Sequence, residues 1–131
     1  PGWTKVDYRG TVNRKEVQEI MASSQAGLLL FHPEPNHVDA QPNKMFEYMS
    51  AGLPVVASNF PLWKLIFEDS HTGWQVDPLD SNAIAGSIEK ILSDPDLSAK
   101  MGQRGRQMVV SRYQWRYEEN KLLSLYSELT L

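Results

Sequence analysis

Short, wholly apolar runs alternate with helix-periodic segments through the first half of this chain. Residues 26–31 read Ala-Gly-Leu-Leu-Leu-Phe and 54–57 read Pro-Val-Val-Ala. Such runs, bounded by Gly and Pro, predict strands buried on both faces of a parallel sheet. A third short strand is expected at Trp74-Gln75-Val76, and a first at Val6-Asp7-Tyr8 before Gly10. Between them the period changes. Asn13 with Glu16 three positions on has capping-box spacing, and Val17, Ile20 and Met21 then recur as on one helix face. A helix over about 43–51 ends at Gly52, and Pro61 opens another that stops before Gly73. From about 81 to 131 the pattern is helical throughout. Ile84, Ile88, Ile91 and Leu92 mark one face; Pro95 starts a helix with Leu97, Met101 and Met108 inward; Trp115, Leu122, Tyr126 and Leu129 stripe the last.

Strands alternating with helices give βαβ units, hence a Rossmann-like parallel α/β sheet with flanking helices and a helical tail. In such sheets ligands bind beyond the carboxyl ends of the strands. The segment 32–44 follows the strand ending near Phe31, so it lies at that edge.

That segment also carries the most suggestive chemistry. It runs Asp39-Ala-Gln-Pro-Asn-Lys-Met-Phe-Glu47, with a carboxylate in a Pro-rich loop and another on the helix that follows. Pro42 fixes φ and lacks an N–H, so it can open the helix. The N–H groups of Asn43, Lys44 and Met45 are then expected to point out of the helix start, where, with the Lys44 charge, they suit a diphosphate. Glu47 lies about 6 Å further along the axis at ~1.5 Å per residue. Its ionised carboxylate can accept two hydrogen bonds from a sugar diol. Phosphate and diol together point to a nucleotide. The residues alone leave a plainer reading open, in which Glu47 is solvated, Lys44 is its i,i+3 partner and Pro42 only punctuates a loop.

Composition narrows the class. The 131 residues suit one domain, with 41% hydrophobic and 22% charged residues. A net charge of -3 argues against a nucleic-acid binder. There is no cysteine, so no disulfide or thiolate-zinc site is available, which fits the cytoplasm. No apolar run is long enough to span a bilayer. A start at Pro1 rather than Met reads as an excerpt of something longer. Asp94-Pro-Asp96 has metal-binding DxD spacing but sits between helices, where a cap is simpler. His32 and His37 could orient a phosphate or hydroxyl, although a local hydrogen bond is the commoner role. Trp63 and Phe67 read as packing residues, Glu34 as solvent-facing, and Trp115 with the tail stripe as core or domain interface.

Across residues 41–57 the chain resembles the nucleotide-binding half of GT-B glycosyltransferases of the retaining family 4 type. That family has a Glu–seven residues–Glu motif ahead of an A-x-G-x-P-V-V strand; here it stands as Asp39–seven residues–Glu47, then Ala51-Gly-Leu-Pro-Val-Val56. The Gln-Pro-Asn-Lys form is similar to a subgroup of bacterial surface-polysaccharide synthesis. The resemblance continues through Gly73-Trp-Gln-Val-Asp-Pro78 and Tyr113-Gln-Trp115. It implies a retaining transferase that moves a sugar from a nucleotide diphosphate donor to a glycan or lipid-linked acceptor. No metal or other cofactor is implied. The full-length protein would be cytoplasmic, with peripheral association at the inner membrane face.

The resemblance also assigns residues. Glu47 would bind the donor ribose and Asp39 the transferred sugar, with Ala40 and Gln41 beside it. Pro42, Asn43, Lys44 and Met45 would meet the diphosphate. Val12 and Arg14 would lie near the base, although their plain roles are core and first-turn surface. Two departures bear on the sugar: Asp39 is one C–C bond, about 1.5 Å, shorter than Glu, and Ala40-Gln41-Pro42 replaces a common Gly-Phe-Gly. The family's strand order, 3-2-1-4-5-6, makes this chain, 1–131, a partial donor-binding domain. Two βα units and the N-terminal acceptor domain would be missing, leaving strand edges unpaired, and the chain alone should not catalyse transfer. A GT-B nucleotide-sugar 2-epimerase is the alternative enzyme, and a non-catalytic nucleotide-binding or interaction module the non-enzymatic one.

Overall fold

The protein's computed structural model describes residues 2–129. Its centre is a parallel three-stranded sheet ordered β1 (Gly27–Leu29), β2 (Val55–Ser58), β3 (Gly73–Val76). Gly27 pairs with Val55 and Val55 with Gly73, and the register runs on from there. β2 is paired on both edges and buried at every position. It is the fully buried strand that the Pro-Val-Val-Ala run predicts.

Alternate β2 side chains serve the two faces. Val55 and Ala57 join Leu29, Met45, Met49, Phe60, Trp63, Ile66 and Phe67 in a core beneath α3 (Asn43–Ser50) and α4 (Pro61–Ser70). Val56 packs with Val76 and with Ile91 of α5 (Ser81–Ser93) on the other face. α6 (Pro95–Arg112) then lies across α3 and α4, with Met108 and Val109 against the first core. α1 (Arg14–Ser23) precedes β1, and α7 (Trp115–Leu129) closes the described chain. The helical tail thus begins at Ser81, near the expected boundary, and 130–131 lie outside the described residues.

Local signals explain the helix ends. Asn13 accepts the N–H groups of Lys15 and Glu16 while the Glu16 carboxylate takes the Asn13 N–H at 2.7 Å, a complete capping box. α3 ends in a Schellman motif. Leu53 N–H bonds the Tyr48 carbonyl and Gly52 N–H that of Met49, both at 3.0 Å, with Gly52 at φ +75°. Asp94 caps α6 through Leu97 N–H at 2.9 Å, which accounts for one carboxylate of the DxD spacing.

Several expectations fail for tertiary reasons. No strand forms at 6–8: Gly2–Lys5 is a 3-10 turn, and Val6 and Tyr8 are 51% and 76% exposed. A strand persists only through ladder partners, and no described strand lies beside it. β1 is not buried on both faces, because it is the outer strand and Leu28 is left 48% exposed. Leu92 points to solvent although Ile91 is buried. The tail stripe is not core, since α7 has no buried residue. Tyr113 does anchor the α6 terminus, its ring 4.8 Å from that of Phe46.

α6 approaches the α3–β2 turn at Gly102, where an added Cβ would collide with the Gly52 carbonyl; at Gly86 in α5 a Cβ would meet open space. The same substitution should therefore act oppositely at the two sites. Gly102→Ala is expected to destabilise by about 2–3 kcal/mol through overpacking. Gly86→Ala should stabilise by about 0.5–1 kcal/mol through helix propensity. Chemical denaturation followed by circular dichroism checks both, and a neutral Gly102→Ala would refute the close contact.

Candidate functional site

The carboxyl end of β1 opens into a segment that is fixed by side chains rather than by ladder bonds. Phe31 N–H donates to the buried Ser58 Oγ at 2.9 Å, and the same hydroxyl donates to the Phe31 carbonyl at 3.0 Å. Phe31 therefore stays attached to β2 after the strand pairing stops. The chain then makes one helical turn, α2 (Pro35–Val38), that the Pro-rich sequence hid. Glu34 precedes this turn, exposed and without a side-chain cap bond. His37 makes a local hydrogen bond, Nδ1 to the His32 carbonyl at 3.0 Å, and its ring lies 4.9 Å from that of Phe31.

Trp63 holds the middle of the segment. It is fully buried, and its indole N–H donates to the Ala40 carbonyl at 2.6 Å. Phe31 and Phe60 pack on it with ring centroids 5.8 and 4.8 Å away. Packing was the role expected of Trp63; its hold on the candidate loop was missed. The available signal is general: a buried indole N–H needs an acceptor. Ser58, the polar residue closing an apolar run, was likewise a signal.

The first turn of α3 holds fewer open donors than the sequence suggests. Pro42 is the extended residue before the helix, at φ −75° and ψ 132°, rather than its first helical residue. Its carbonyl accepts Met45 N–H at 3.1 Å, and Met45 is fully buried. Met45 therefore offers neither a partnerless N–H nor an accessible side chain, which corrects its expected place at the diphosphate. Ala40 N–H is also taken, by the His37 carbonyl at 3.2 Å. Among the described residues, the N–H groups of Gln41, Asn43 and Lys44 have no internal acceptor. Asp39, Gln41, Asn43, Lys44 and Glu47 are exposed, and no ion pair ties Lys44 to Glu47 among the described residues.

Lys44 and Glu47 face a groove of about 920 Å³ along the open edge of β1, between α1 and α3. Val12 and Arg14 line its other wall, so four of the candidate residues share it. Asp39, Ala40, Gln41, Pro42, Asn43 and Met45 do not line it. A crossover helix runs opposite to the strands, so Lys44, in the first turn of α3, sits toward the carboxyl edge. Tyr48 lines the groove further along and covers Gly27. Burial first, and the Glu47 carboxylate second, push its phenol up, which keeps it a hydrogen-bond donor. Among the described residues no cluster of His, Asp and Glu could hold a metal ion, and no helix is long and apolar enough to cross a membrane.

The family model described as glycosyl transferases group 1 matches residues 2–108. The chain belongs to this family. Its relatives include a GDP-mannose-dependent alpha-(1-6)-phosphatidylinositol monomannoside mannosyltransferase of Mycolicibacterium smegmatis. That protein is 35% identical over 81 residues, 62% of this chain and 21% of the relative. The alpha-1,3/1,6-mannosyltransferase ALG2 of Dictyostelium discoideum is 29% identical over 127 residues, 95% of this chain and 28% of the relative. The solved sucrose-phosphate synthase of Thermosynechococcus elongatus superposes with a TM-score of 0.83 at 25% identity, covering 97% of this chain and 31% of that one. The chain thus spans between a fifth and a third of the length of these proteins. The fold is accordingly a GT-B Rossmann-like domain, with a sheet whose three strands follow one another in sequence order.

The hold of Trp63 on the loop of this family member can be tested directly. Trp63→Phe keeps an aromatic ring but leaves the Ala40 carbonyl without its donor. Hydrogen exchange of the Val38, Asp39 and Ala40 amides should accelerate by about fivefold or more, a loss of about 1–3 kcal/mol of local stability. Unchanged exchange there would show that the indole bond does not hold the loop.

Proposed function

We propose that the chain is the donor-binding part of a retaining glycosyltransferase. It would move a sugar from a nucleotide diphosphate donor to a glycan or lipid-linked acceptor in polysaccharide synthesis. One observation carries the reading. At the carboxyl edge of a parallel sheet, the first turn of α3 combines unspent Asn43 and Lys44 N–H groups, the Lys44 ammonium and, one turn on, the unpaired Glu47 carboxylate. A diphosphate with its attached ribose has the matching charge and hydroxyls.

In this proposal Glu47 accepts the ribose hydroxyls. Asn43 and Lys44 hold the diphosphate, with Pro42 setting the entry to the helix. Lys44 and the helix N-terminus stabilise the charge that develops on the leaving diphosphate, and no metal is needed for it. Asp39 and Gln41 approach the transferred sugar, and Ala40 keeps its place there as a pinned backbone position. Val12 and Arg14, on the far wall of the groove, are placed for the base. The name of the Mycolicibacterium relative supports a lipid-linked acceptor as one member of the acceptor class. An acceptor would be held by parts outside this chain, and peripheral contact with the inner membrane face would follow from a lipid-linked one.

Titration calorimetry with UDP and GDP tests the reading and selects the base. Glu47→Ala should weaken nucleotide affinity about ten- to a hundredfold, the value of a charge-assisted hydrogen bond of roughly 1.5–3 kcal/mol. Affinity equal to that of the unsubstituted protein would remove Glu47 from the ribose.

A further inference from the structure

Backbone N–H groups between β1 and α3 serve a sugar only in part: Gln41 N–H is open, and those of Asn43 and Lys44 go to the diphosphate in the reading above. Ala40 and Met45 have spent theirs at 3.2 and 3.1 Å, and Pro42 has none. A hexose presents several hydroxyls, and once water is displaced each O–H also needs an acceptor, which no backbone N–H can be. Side chains of the same segment must supply the balance.

His37 meets this need. Its Nδ1 lies 3.0 Å from the His32 carbonyl oxygen. A carbonyl only accepts, so Nδ1 carries the hydrogen, and in the neutral ring Nε2 is then an acceptor. No described residue pairs with Nε2. The ring is steadied by Phe31 at 4.9 Å, which is itself clamped by Ser58. The His37 carbonyl also accepts the Asp39 N–H, so His37 and Asp39 are held as one unit. We infer that His37 is a specificity residue for the transferred group, its Nε2 accepting a hydroxyl of the donor sugar beside Asp39. The inference rests on the donor-binding reading above.

Two substitutions separate sugar recognition from support of the loop. His37→Asn keeps a nitrogen near the Nδ1 position, able to donate to His32, but has no atom at the Nε2 position. His37→Gln does the reverse. Calorimetry of the protein with UDP, GDP, UDP-glucose and GDP-mannose reads the difference. The Asn variant should bind the bare diphosphates unchanged and the matching sugar nucleotide about three- to tenfold more weakly, one neutral hydrogen bond. The Gln variant should recover most of that loss. An Asn variant that binds the sugar nucleotide at full strength overturns the inference, as does one that loses bare-diphosphate affinity in equal proportion. Glu47→Ala keeps the two levels apart. Full affinity in that variant brings down the donor-binding reading itself, whereas weakened affinity beside an unaffected Asn variant brings down His37 alone.

Discussion

Parallel pairing is the constraint on which this structure depends. Two parallel neighbours cannot be joined by a tight turn, so the chain must leave each carboxyl end, cross a face of the sheet as a helix, and start again at the amino edge. α3 and α4 are those crossings, and both pack onto the same core around Val55 and Ala57. Each crossing puts a loop and a helix start at one edge. The polar residues of the segment after β1 gather there because the topology leaves them nowhere else to go.

A loop in that position is useful only if it keeps its shape, and two polar groups see to that. The Ser58 hydroxyl extends the sheet's hydrogen bonding to Phe31 after the strand has ended, and the Trp63 indole reaches up from the core to Ala40. Both are buried, so breaking either bond would strand a polar group away from water, a cost of about 1–3 kcal/mol. The scaffold therefore spends its own backbone groups on rigidity. What it leaves for a ligand is the start of α3 and a few side chains.

Features governed by neighbours in sequence were legible without coordinates. The Asn13 and Glu16 capping box, the helix starts at Pro61 and Pro95, the glycine end of α3 and the central strand all follow from local chemistry. Placement of Glu47 on a helix that starts at the carboxyl edge of the sheet was readable too. What escaped depends on elements distant in sequence. Leu28 is apolar like Leu29, yet it points to the other face of β1 and lines the open groove instead of the core, which only the tertiary packing reveals. The stripe on α7 is a proper amphipathic pattern with nothing among the described residues to cover it. Met45 looked like a free donor because residue spacing does not reveal that the first turn tightens, its N–H bonding the Pro42 carbonyl three residues back.

The contact between Gly52 and Gly102 joins the two ends of this organisation. α3 carries Lys44 and Glu47 at one end and finishes at Gly52 on the other, where α6 presses backbone against backbone. A helix is a stiff rod along its axis, so fixing its rear end fixes the height of its front. α6 has no candidate ligand residue, yet it works as the back-stop that sets how far the first turn of α3 projects. Selection on that turn would then reach a glycine almost sixty residues downstream of it, through mechanics and with no chemistry in between.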